Sequence, residues 1–234
     1  MRSSIPAPLR RVTILAAMAA ALMVPAGIAP ATTVKPMNIV ETVQNTGQAF
    51  AGTVASVEVV QAHGRWAEEI TVAVTDPIFG LDDSATTVTW RQVRLAEDLR
   101  LPSMPEFHPG QDIAVFLYNA ADGSPFRAPV GLDQGAYRLV RDPKSGQLIA
   151  RNGHANRTLT NGLDVEKLAT AARKAFGASA PVIGDSSTVS YESLKATARL
   201  LKSQNATVGA FAAEGTDGTA KSSTFARPAR LFAE

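Results

Sequence analysis

The sequence predicts a mainly β protein: a small antiparallel β-barrel or sandwich, followed by two short helices and a disordered tail. Three observations predict it. Between residues 49 and 151, apolar and polar residues alternate in short stretches with no helical stretch between them, the pattern of an antiparallel rather than a doubly wound sheet. Apolar residues at helical spacing appear only after Gly162. From Asn205 onward the chain is rich in Ala, Gly, Ser and Thr with little periodicity, a composition that buries too little apolar surface to order itself.

The chain divides at residues 31, 160 and 204. Within residues 1–31, Arg2, Arg10 and Arg11 form a basic start, and residues 12–21 are almost wholly apolar. Pro25 and Gly27 interrupt the run, and Ala29-Pro30-Ala31 places small residues where a signal peptidase reads. That order predicts a secretory signal cleaved after Ala31, hence a periplasmic or extracellular protein with no mature membrane anchor. A spanning helix would need about 20 apolar residues, and a lipoprotein anchor would need a cysteine.

Composition excludes several classes. The 234 residues contain 23 basic and 21 acidic side chains. Without the three signal arginines the balance is 20 against 21, so the mature chain carries no electrostatic footprint for nucleic acid or anionic lipid. With no cysteine there is no disulfide, thiolate nucleophile, cysteine-type zinc site or iron–sulfur cluster. A core must carry the fold.

The strand-rich part, residues 32–160, reads element by element. Ile39-Val40-Glu41-Thr42-Val43 suggests one helical turn in a short lead-in. Phe50, Gly52 and Val54 share one phase and Val57 and Val59 the other, which predicts a bulge near Ala55-Ser56. His63-Gly64 marks a turn. Ile70, Val72 and Val74 alternate with polar neighbours in a half-buried strand that Asp76-Pro77 should end. Val88 and Trp90 belong to a third strand, and residues 113–118, apolar on both faces, to a central buried fourth. Tyr137 and Leu139 share a face of the fifth strand. Residues 142–146 form a hairpin loop, and residues 147–151 return as the sixth strand. In residues 161–204, Val165, Leu168, Ala172 and Phe176 form a helical stripe between an Asp164 N-cap and Gly177. Tyr191, Leu194, Ala198 and Leu201 form a second stripe, capped by Ser190. Such stripes usually pack as core.

Catalytic signatures are sparse. The sequence contains no His-Glu-x-x-His, Gly-x-Ser-x-Gly, Gly-x-Gly-x-x-Gly, phosphate loop or Ser-x-x-Lys. Gly184-Asp185-Ser186 matches a block of the SGNH hydrolases, but no histidine follows His154 to act as base, and a serine hydroxyl without a base is a poor nucleophile. It reads as a polar loop. His63, His108 and His154 lie in three separate loops, a spacing that does not demand a metal site even with Asp133 or Asp142 nearby. No cofactor is implied.

Two glycine-punctuated polar blocks, residues 131–135 and 151–157, flank the hairpin of strands five and six. Their ends should therefore meet in space. Asp133, Gln134, Asn152, His154 and Arg157 are the candidate ligand or partner surface, because amides and a guanidinium bind oxyanions or backbone carbonyls. The same residues can equally close loops.

Residues 33–37, 49–54, 109–117, 129–137 and 152–157 (Asn152-Gly153-His154-Ala155-Asn156-Arg157) resemble the recurring blocks of a group of uncharacterised exported bacterial proteins. The resemblance spans about residues 33–160 and implies an OB-like or netrin-like β-barrel, with no catalytic residue attached. The expected function is a non-enzymatic binding or assembly module whose partner is another exported protein or peptide. The rivals are a hydrolase using carboxylates among Glu68, Glu69, Asp133 and Asp142, and a protease-inhibitor-like barrel presenting a mature N-terminus near Thr32.

Overall fold

His63 and Gly64 both adopt positive φ (49° and 71°), the geometry a two-residue hairpin turn needs to match strand twist. They join the two longest strands, β1 (Thr46–Ala62) and β2 (Arg65–Phe79). The computed structural model describes residues 34–121, 123–181, 183–184 and 188–213. Residues 1–31, where a secretory signal is expected, Asp185 and Ser186 of the Gly-Asp-Ser stretch, and the chain past residue 213 lie outside the described residues.

The predicted bulge is present: the β1–β2 register shifts between Val54 and Ser56. The slip returns Val57 to the side of the sheet that holds Phe50 and Val54. Asp76-Pro77 does not end β2, which runs on to Phe79. Proline is tolerated there because β3 (Thr87–Val93) flanks β2 only from Ala67 to Ala73, so Pro77 lies on an edge stretch with no neighbour waiting for its missing N–H.

With β4 (Asp112–Tyr118), β5 (Ala136–Arg141), β6 (Leu148–Asn152) and β7 (Val189–Ser190), the strands form one antiparallel sheet in the order β3-β2-β1-β4-β5-β6-β7. This seven-stranded sheet is open, so the named strands do not close the expected barrel. The two-residue β7 was not legible, being too short for any periodicity. Isolated bridges join Arg91 to Phe126 in parallel and Leu117 to Pro129 in antiparallel sense. Arg127 N–H donates to Arg91 O (2.9 Å), and Val130 N–H donates to Phe116 O (2.8 Å).

The sheet separates two cores. Phe50, Val54, Ile70, Val72, Val88, Trp90, Phe107, Ile113, Val115 and Leu117 pack together on one face. Ala49, Ala51, Ala114, Phe116 and Tyr137 face the helices on the other. Strand β4 is therefore buried on both sides, as its unbroken apolar run predicts.

Helix α1 (Ile39–Asn45) is two turns rather than one, started by a reciprocal capping box between Asn38 and Glu41. Ile39, Val40 and Val43 are buried in the helix-side core, so the lead-in is part of the fold. Helices α2 (Val165–Phe176) and α3 (Tyr191–Ser203) carry the predicted Asp164 and Ser190 caps. Leu168, Ala172, Leu194, Ala198 and Leu201 join the same core, whereas Phe176 leaves its expected stripe and is 50% exposed in the last turn. Asp76 fastens α3 to β2, accepting from Tyr191 Oη and Lys195 Nζ at 2.8 Å each. The helices thus dock on the sheet.

The expected disorder from Asn205 is corrected as far as Ala213. A 3-10 turn over Val208–Phe211 buries Phe211, and Ala206 is buried beside it. Asp164 N–H donates to Phe211 O at 2.7 Å. One aromatic side chain and a few backbone hydrogen bonds order this stretch, features that produce no sequence periodicity. Among the described residues no helix is long and apolar enough to cross a membrane.

Candidate functional site

The β5–β6 hairpin brings the two polar blocks together as expected. Its turn is a short loop in which Asp142 accepts from Ser145 Oγ (2.5 Å) and from the backbone N–H groups of Lys144 (3.2 Å) and Ser145 (3.1 Å). The Ser145 hydroxyl holds the Asp142 carboxyl below the usual carboxylate range. At the opposite end, Gly153 N–H donates to Asp133 O (3.1 Å), and His154 Nε2 lies 3.0 Å from Asp133 Oδ1. A Cβ at Gly153 would collide with the Asp133 carboxylate, so the close approach itself requires glycine.

Most of the candidate residues are occupied by the fold. Gln134 is buried and uses its amide like a strand neighbour: Oε1 accepts from Met37 N–H (2.7 Å), and Nε2 donates to Lys35 O (3.0 Å). Asn152 is buried too; its Nδ2 donates to Gln134 O (3.1 Å), while Oδ1 accepts from the N–H groups of His154 (3.1 Å) and Asn156 (2.8 Å). Asn156, outside the predicted set, completes the loop by accepting from Asn152 N–H and donating to Ala150 O. Leu132, Ala155 and Asn156 all adopt positive φ, strained geometry that this amide network holds in place. Only His154 and Arg157 of the five are solvent-exposed, with Asp133 half-buried.

A groove of about 810 Å³ runs along the hairpin on the side away from the helices. Loop residues Met104, Pro105 and Glu106 line one wall, and Arg138, Val140, Ile149 and Arg151 line the strands. Gln134, His154 and Arg157 do not line it, whereas Asp133 and Asn152 do. The loop wall is anchored inside the sheet by Phe107, which is 3% exposed and meets Trp90 edge-on with ring centroids 5.4 Å apart. Arg138 and Arg151 were not singled out from the sequence. Their phase, opposite to Tyr137 and Leu139, marks them as pointing away from the core, but only the tertiary structure sets a wall opposite them. Burial pushes the Tyr137 phenol well above its ordinary range.

The four carboxylates considered for hydrolysis do not meet in pairs. Glu68 is buried and held by Arg94 (3.2 Å) and Arg100 (2.7 Å), the pairing a buried charge needs. Glu69 pairs with Arg91. Asp133 and Asp142 line the same groove but flank β5, whose six residues span about 17 Å, beyond the roughly 5–9 Å of a carboxylate pair. Among the described residues no three His, Asp or Glu side chains gather to hold a metal ion. Compared with known proteins, the chain matches no family model, no curated protein and no solved structure.

Proposed function

We propose that this protein is an exported, non-enzymatic binding module, built on a small OB-like barrel, whose binding surface is the groove along the β5–β6 hairpin. The observation that carries this reading is the groove itself. It is open, walled by loop residues 104–106, and its strand side presents exposed Arg138, Val140 and Arg151 with half-buried Ile149. The barrel assignment draws support from residues 126–130, which bond to β4 on one side and to β3 on the other. A segment so placed reaches from one end of the run β3-β2-β1-β4 to the other, the position a closing segment of a small barrel would occupy. Export rests on the three-part pattern of residues 1–31. The binding assignment over catalysis is favoured because the carboxylates considered for hydrolysis are paired, capped or far apart.

The test is site-specific cross-linking. A photoreactive residue at Val140 in protein recovered from the cell envelope should give a discrete adduct, and one at Thr89, on the exposed face of β3, should not. Equal labelling from both positions would reject the groove. The recovered protein should begin at Thr32, and an intact Met1 would reject export.

One observation favours the protease-inhibitor reading as a second possibility. Gln134 fixes Lys35 and Met37 beside the loop of residues 131–135, and in a chain cleaved after Ala31 only three residues would precede Lys35. Deleting residues 32–34 should abolish inhibition of a sensitive protease without changing stability.

A further inference from the structure

The groove carries a charge pattern that narrows its ligand, and the following rests on the binding reading above. Arg138 and Arg151 are directly opposite each other across the β5–β6 ladder. Both are exposed, and among the described residues neither has a carboxylate partner. Like charges placed directly opposite are destabilising, with Cβ atoms only about 5 Å apart. A sheet gains nothing from this arrangement in the unbound state.

Among the described residues, the carboxylates that line the groove are engaged elsewhere. Glu106 pairs with Arg100. Asp133 faces His154. Asp142 caps its own hairpin turn. Two residues further along the ladder, Val140 stands opposite Ile149. Val140 is 52% exposed and Ile149 half-buried, so an apolar row lies next to the basic row. The two rows are separated by about 7 Å, the distance between alternate residues of any extended chain. The space, about 810 Å³, falls within the roughly 300–1,000 Å³ range of ordinary ligand sites.

We propose that the groove binds an extended acidic peptide, with a ligand carboxylate held between Arg138 and Arg151 and an apolar side chain two residues away resting on Val140 and Ile149. Paired guanidiniums suit a carboxylate because each offers two parallel donors. Basic and apolar rows two residues apart select a ligand with an acidic residue at one position and an apolar residue at the next but one. A free small anion would satisfy only the basic row.

The experiment uses the purified protein and a fluorescent peptide that repeats glutamate-serine-valine-serine, which sets glutamate and valine two residues apart on one face of an extended chain, read by anisotropy at low and moderate salt. A second peptide carries glutamine in place of glutamate, and inorganic phosphate serves as competitor. The glutamate peptide should bind at least tenfold more tightly than the glutamine peptide and weaken with salt. The double variant Arg138→Gln with Arg151→Gln should lose at least tenfold in affinity while its melting temperature stays level or rises. That last readout separates a ligand clamp from a structural pair, whose loss would lower the melting temperature. Val140→Asp should weaken binding as well. If both peptides bind alike and the double variant is unaffected while Val140→Asp abolishes binding, the groove remains the binding surface and the acidic specificity is wrong. If phosphate competes as well as the peptide does, the site is a simple anion site and the peptide proposal falls. If neither peptide binds and the Val140 cross-link is also absent, the binding reading fails with it.

Discussion

Replacing Phe116 with alanine tests the two-core architecture most directly. Phe116 is completely buried at the centre of β4, on the helix side. Its ring meets Phe79 edge-on at 6.3 Å and Tyr137 at 5.7 Å between centroids. A buried Phe→Ala change ordinarily costs about 3–5 kcal/mol, and each lost aromatic pair adds about 0.5–1.5 kcal/mol beyond area. Neighbours from a strand on either side limit collapse into the cavity, so the upper half of that range, about 4–5 kcal/mol, is expected. For a domain of this size the melting temperature should fall by at least about 8 °C. Urea unfolding supplies the free energy, with an unchanged slope confirming that the denatured state is the same. Phe176→Ala is the control: that ring is 50% exposed, and its loss should cost less than about 1 kcal/mol. A Phe116→Ala cost below about 1 kcal/mol, or equal costs at the two positions, would refute a core between sheet and helices.

Other expectations follow from single features. Glu68→Ala should destabilise by about 3–5 kcal/mol, because it strands the buried Arg94 guanidinium, whose side chain is 8% exposed; a neutral result in urea unfolding would mean that water already serves the site. Truncation after Gln204 removes buried Ala206 and Phe211 and should lower stability by about 3 kcal/mol, seen as a lower melting temperature; an unchanged value would show that this stretch does not pack. Arg100 holds the Glu106 carboxyl below the usual carboxylate range. Its contribution is thus complete above the ordinary value of about 4.3 and disappears as pH falls through the lower folded value. Glu106→Gln should flatten the acid limb of a stability–pH curve by lowering stability slightly near pH 7 while leaving it unchanged at pH 2. The effect is modest, since the Glu106 side chain is 56% exposed and screened by solvent.

Five of the seven strands of the sheet were legible to within a few residues because each has one wet and one dry face, or two dry faces in β4 and the first half of β1, and alternation or an unbroken apolar run survives in the sequence. Asp76-Pro77 misled for a physical reason: proline forbids one hydrogen bond, and whether that bond was needed depends on whether β3 reaches that far. The Phe176 miss is similar. Periodicity assigns it to the stripe, but the last turn of α2 extends past the surface it packs on. The extended order of residues 205–213 rests on Phe211 and Ala206 finding buried places and on a few backbone hydrogen bonds, which no local pattern announces.

By itself the sequence determined the strand phases, the bulge after Val54, the helix caps at Asp164 and Ser190, and the meeting of residues 131–135 with residues 152–157. These depend on neighbours close in the chain or on the geometry of a single hairpin. Tertiary structure decided which of the polar residues remain available. Gln134 and Asn152 look like ligand-binding amides in the sequence, yet burial obliges them to satisfy the backbone of Met37, Lys35, His154 and Asn156. Arg138 and Arg151 look like ordinary outward-facing residues, yet strand register sets them face to face in a groove walled by a loop more than thirty residues earlier in the chain. Hydrogen-bond demand and cross-strand register are properties of the folded chain, and they moved the candidate site from the amides to the arginines.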